Sequence, residues 1–66
     1  MFITLNGKKQ EIRGVMPLSG LLTELKVAER AVAIEVNGNI IPRSEFEDLE
    51  IKEGDRIEVL RLIGGG

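Results

Sequence analysis

Met1, Ile3 and Leu5 alternate with Phe2 and Thr4, and the run stops at Asn6-Gly7. A period of two belongs to a strand, and Asn-Gly favours a type I′ turn because both turn positions require positive φ. A hairpin is therefore predicted. Its return strand, residues 8–13, is mostly charged apart from Ile12, which suits an exposed edge where lysines discourage pairing with other chains.

The period then changes. Leu18, Leu21, Leu22 and Leu25 recur at i, i+3, i+4 and i+7, one stripe on a helix of about two turns that needs a sheet to cover. Pro17 suits the helix start, where its missing N–H costs nothing, whereas Gly20 is a poor helix former. Val32, Ile34 and Val36 restore the period of two and end at a second turn pair, Asn37-Gly38, before the short apolar pair Ile40-Ile41. Beyond Pro42, the Ser-x-x-Glu spacing of Ser44 and Glu47 is that of a capping box and predicts one short helical turn. Leu49 and Ile51 give a short strand segment, and Glu53-Gly54-Asp55 turns the chain.

Residues 56–63 read as the richest strand: Ile57 and Val59 face one way, Leu60 and Leu62 the other. Apolar residues on both faces predict a central position in a sheet. With the first and last strands as neighbours, the order hairpin, helix, strand, short elements, strand predicts an α+β roll. A mixed sheet of about four to five strands then wraps one helix. Residues 1–63 are expected to form this domain, with Gly64, Gly65 and Gly66 as a flexible C-terminal tail.

Composition narrows the function. A chain of 66 residues fits one domain with a thin core. It contains no cysteine and no histidine, so disulfides and the usual zinc sites are excluded and regular backbone geometry must carry the stability. The net charge of −2 comes from interspersed acids and bases without a basic run, and only Phe2 and Phe46 are available to stack on bases. Nucleic acid is therefore not an expected partner. No stretch approaches the ~20 apolar residues of a membrane span, and Met1 to Leu5 is too short for the apolar core of a signal peptide. A soluble, cytoplasmic protein with no membrane partner is expected.

No Ser-His-Asp, Cys-His or metal-ligand cluster can be assembled from these residue types. Glu45, Glu47, Asp48 and Glu50 read as a capped turn followed by solvated acids, and Asn37-Gly38-Asn39 lacks the spacing and the lysine of a phosphate loop. No catalytic residue and no bound cofactor are expected. What remains is the α-carboxylate of Gly66, ionised at neutral pH and a poor electrophile until it becomes an acyl adenylate. A tail of three glycines spans about 10 Å when extended, and without Cβ atoms it threads channels too narrow for other residues. The plainer reading is a frayed terminus. The abrupt join to a central strand favours a working tail, because the strand fixes the tail's base.

From Val36 onward the chain reads VNGNIIPRSEFEDLEIKEGDRIEVLRLIGGG, and here it closely resembles the sulfur carrier proteins of thiamine biosynthesis, the ThiS family. The Val-Asn-Gly turn, Pro42-Arg43-Ser44, the turn at Glu53 to Asp55 and the terminal glycines carry the resemblance. The first strand, the Asn6-Gly7 turn and the leucine helix extend it over the chain. Phe46 stands where many members carry tryptophan, and Pro17 where a helix-capping hydroxyl is common. The resemblance implies the ubiquitin-like β-grasp fold and a role. An E1-like adenylyltransferase of the ThiF type would use ATP to adenylate Gly66. Sulfur from cysteine, delivered through a cysteine desulfurase, would convert it to a thiocarboxylate for a thiazole synthase of the ThiG type. A molybdopterin sulfur carrier shares the tail chemistry but is usually longer and lacks the Pro-Arg-Ser context. A ubiquitin-like modifier forming isopeptide bonds and a non-covalent β-grasp interaction module are readings from other classes.

If Ile57 and Val59 point to the helix, alternation sends Leu60 and Leu62 to the other sheet face, where Phe2 and Thr4 join them. These four residues form the candidate partner-docking face beside the tail, with ordinary exposed apolar residues as the alternative.

Overall fold

The structure, a computed structural model, describes residues 1–61. Strands β1 (Phe2–Leu5) and β2 (Lys8–Glu11) form the expected hairpin, with Phe2 opposite Glu11 and Leu5 opposite Lys8. Asn6 and Gly7 adopt φ of 50° and 82°, the two positive angles that a type I′ turn demands. The chain continues through β3 (Met16–Pro17), α1 (Leu18–Glu24), β4 (Val32–Val36), β5 (Asn39–Ile41), β6 (Glu50–Ile51) and β7 (Arg56–Arg61). Five strands make one mixed sheet in the order β2-β1-β7-β4-β5. β7 is central, parallel to β1 and antiparallel to β4.

One face of this sheet meets the helix. Ile3, Val32, Ile34, Val36 and Ile57 are buried against Leu18, Leu21 and Leu22, while Leu25, the last residue of the leucine stripe, is half-buried. Pro17 is the helix N-cap and offers no side-chain cap bond. Instead the Leu18 N–H donates to the Leu49 carbonyl (2.8 Å) and the Ser19 N–H to the Phe46 carbonyl (2.9 Å). Backbone oxygens thus satisfy donors that a capping hydroxyl serves elsewhere, which accounts for Pro17 at this position. At the other end Val27 N–H reaches the Leu22 carbonyl and Lys26 N–H the Thr23 carbonyl, a Schellman ending with Lys26 at φ 58°.

Two features differ from expectation. β3 and β6 form a separate ladder, Met16 opposite Ile51 and Pro17 opposite Glu50, too short for any side-chain period to announce it. The capping box at Ser44 does not form. Arg43–Glu45 is a single 3-10 turn whose N-cap is Pro42, without a side-chain cap bond, so Ser44 sits inside the turn instead of in front of it. Among the described residues no helix is long and apolar enough to cross a membrane. The expected boundary between residues 63 and 64 lies outside the described residues.

Candidate functional site

The strand that leads into the glycine tail is gripped from both sides. On one side β4 pairs with β7 from Val36 opposite Ile57 to Val32 opposite Arg61. On the other, β1 ends at Leu5 opposite Ile57 and turns away. Asn6 takes over there: its N–H donates to the Ile57 carbonyl (2.9 Å), and its Oδ1 accepts from the Val59 N–H (2.8 Å). A turn side chain therefore adds one rung beyond the end of β1. Asn37, at φ 52° in the second turn, mirrors it across β7. Its N–H donates to the Arg56 carbonyl (2.7 Å), its Oδ1 accepts from the Arg56 N–H (2.9 Å), and its Nδ2 donates to Asp55 Oδ1 (3.1 Å).

Both asparagines are readable from the sequence as turn formers, but their bonds to β7 are not, because those depend on which strand lies beside each turn. Asn6→Ala is expected to cost about 1.5–3.5 kcal/mol, combining the left-handed backbone penalty with the lost hydrogen bond. Asn6→Gly recovers the turn but not the bond. Urea unfolding reads the difference, and amide exchange at Val59 should quicken in both variants; unchanged protection there would show that the rung does not exist in solution.

Phe2, Thr4 and Leu60 all lie on the sheet face turned away from α1, as alternation requires, but they do not form one patch. Thr4 stands opposite Arg56, and the Gly54 N–H donates to the Phe2 carbonyl (2.8 Å). Phe2 is thus level with Gly54, six positions before Leu60 along β7, or roughly 20 Å at strand rise. The cause is the parallel pairing: β1 and β7 set out from the same end, β1 turns back at Leu5, and β7 runs on to Arg61. Phe2 also has a local partner, the Lys9 Nζ 4.4 Å from its ring centroid. Leu60, 46% exposed, stands instead beside Ala33 on β4, with Ile40 of β5 farther across, 72% exposed. Leu62, Gly64, Gly65 and Gly66 lie outside the described residues.

Side-chain chemistry is sparse. Among the described residues there is no buried polar or charged side chain and no group of three or more acids that could hold a metal ion. A shallow recess lined by Pro17, Leu49 and Lys52 also gathers Glu47, Asp48 and Glu50, all three exposed to solvent. Phe46, one of the two aromatic rings, is buried and unavailable for stacking.

The chain is 36% identical over its 66 residues to a thiazole synthase of Paramagnetospirillum magneticum and 38% identical to one of Magnetococcus marinus. In each case 100% of this chain matches 20% of the relative, so it spans about a fifth of the length of these curated relatives. The crystal structure of the thiamine biosynthesis protein ThiS from Geobacter metallireducens is similar with a TM-score of 0.88 at 36% identity, over 100% of both chains. The sequence model of the ThiS family matches residues 3–66. That match runs from the first strand through the glycines, and the strands and helix described above correspond over the full length of a ThiS chain: the protein belongs to the ThiS family and has its ubiquitin-like β-grasp fold.

Proposed function

We propose that the protein is a sulfur carrier for the thiazole part of thiamine, a co-substrate in the cytoplasm rather than an enzyme. The observation that carries this reading is the full-length correspondence with the Geobacter ThiS chain. Placement of the glycines supports it: they follow, after two residues, a central strand held on both sides. The body then acts as a rigid handle, and Gly64, Gly65 and Gly66 enter partner active sites.

In this reading an oxygen of the Gly66 α-carboxylate attacks the α-phosphate of ATP within a ThiF-type adenylyltransferase, and pyrophosphate leaves. A persulfide sulfur from the desulfurase attacks the acyl carbonyl, and AMP leaves. A thiol then cleaves the S–S bond, and the thiocarboxylate remains. A ThiG-type thiazole synthase receives that sulfur. ATP is bound by the partner, and no step uses a side chain of this protein. The two relatives that are thiazole synthases favour thiazole over molybdopterin as the destination.

Intact mass tests the reading. The reaction needs a free α-carboxylate on Gly66, so the mass of the protein isolated from its host is taken first. Incubation with the ThiF-type enzyme, ATP, cysteine and a desulfurase should then exchange one terminal oxygen for sulfur. Lysine-linked conjugates would identify a modifier instead, and an unchanged mass would leave only a non-covalent interaction module; either result defeats the carrier reading.

A further inference from the structure

Successive residues of a strand turn their N–H and C=O groups first to one neighbouring strand and then to the other. In β7, Arg56 bonds to Asn37 on the β4 side, while Ile57 and Val59 bond to Asn6 on the β1 side. Alternation therefore turns Glu58 and Leu60 to β4, opposite Glu35 and Ala33, and turns Arg61 to the side of β1. β1 pairs no further than Ile57, and the Asn6 side chain closes the last rung at the Val59 N–H. Beyond that rung the Val59 carbonyl and the N–H and carbonyl of Arg61 face a strand position that no described residue occupies.

Burial follows the same boundary. Ile57, beside Leu5, is 1% exposed, whereas Val59, the next residue on the inner face, is half-buried and Arg61 is exposed. An open edge of this kind is a template for a further strand. The length of chain beyond Arg61 decides which protein arrives there. Gly66 is five residues further on, at most about 18 Å along an extended chain. On the carrier reading, on which this inference rests, the enzyme that adenylates Gly66 must bring its surface within that distance of Arg61, so the vacant position lies under the contact.

We propose that an extended segment of the activating enzyme adds to β7 here as a further strand. Its backbone accepts from the Arg61 N–H and donates to the carbonyls on that side, and one apolar side chain covers Val59. The tail then leaves a strand that is paired on both sides up to its base, instead of one whose last residues have β4 alone.

Amide exchange followed by NMR on the full chain, alone and bound to the ThiF-type enzyme, tests this. In the free chain the Arg61 amide should exchange at close to the unstructured rate, while the Leu60 amide, turned to β4, is slower. Saturating enzyme should slow Arg61 by roughly tenfold or more. Arg61→Pro removes the donor and puts a ring into the vacant position, whereas Arg61→Ala keeps the N–H. Proline is tolerated where its missing N–H faces an open edge, so the two variants should melt within about 2 °C of each other. The proline variant should bind the enzyme roughly tenfold more weakly than the alanine variant. An Arg61 amide that is already protected in the free chain, one that the enzyme leaves unprotected, or equal affinity of the two variants overturns the proposal. Protection that appears without enzyme and grows with concentration also overturns it, because the position then belongs to a second copy of the chain. Product mass is read separately. A thiocarboxylate formed by a wild-type chain whose Arg61 stays unprotected keeps the carrier reading and removes the added strand; protection without a thiocarboxylate does the reverse.

Discussion

Phe46→Ala is expected to cost about 3–5 kcal/mol, the range for deleting a fully buried aromatic side chain. A domain of 66 residues has roughly 3–10 kcal/mol of stability in total, so this one change should leave a large unfolded fraction. Phe46 is 1% exposed and buried together with Ile3, Leu18, Leu21, Leu22 and Ile34. Its carbonyl also accepts the Ser19 N–H, so loss of the ring loosens the backbone that satisfies the start of α1. Phe46→Leu, which keeps most of the volume, should cost less, and Phe46→Trp about 1–3 kcal/mol through overpacking. Urea unfolding followed by circular dichroism measures all three. An alanine variant within about 1 kcal/mol of the parent would mean that the core collapses around the gap, against the dense packing expected of it. Phe46 lies beneath the helix and not at the end of β7, so the reaction of the tail per folded molecule should be unchanged at temperatures where the variant is folded.

How much of this was readable from the chain alone depends on whether the signal is local. The alternation of Val32, Ile34 and Val36 declares the inner face of β4, and all three are buried. The leucine stripe declares the helix, and both Asn-Gly pairs declare their turns because the demand for positive φ is met within the turn itself. The β3–β6 ladder had no such signal, since two residues cannot show a period. Ser44 and Glu47 had the spacing of a box but not its context, because Pro42 holds the N-cap position. At the candidate site the same division holds. Alternation gives the face of Phe2, Thr4 and Leu60 but not their level along it. That level follows from strand order and register, which are non-local.

Extending the chain by one alanine after Gly66 is expected to reduce thiocarboxylate formation on the order of 10³-fold, with the melting temperature unchanged. The carbonyl of Gly66 then becomes an amide and has no carboxylate oxygen to attack ATP. The new carboxylate sits one residue further on, about 3.3–3.6 Å away, and misplacement by as little as ~1 Å already costs about 10²-fold in a positioned reaction. Gly65→Val separates threading from chemistry. It keeps the reacting carboxylate but adds a branched side chain to a segment proposed to pass through a narrow channel, so it should slow the reaction by impeding insertion. Unfolding curves of both variants should coincide with that of the parent. Single-turnover rates followed by intact mass give the answer. If the extended chain acquired sulfur at the parental rate, the terminal carboxylate would not be the acceptor, and the handle-and-tail account of this fold would fail with it.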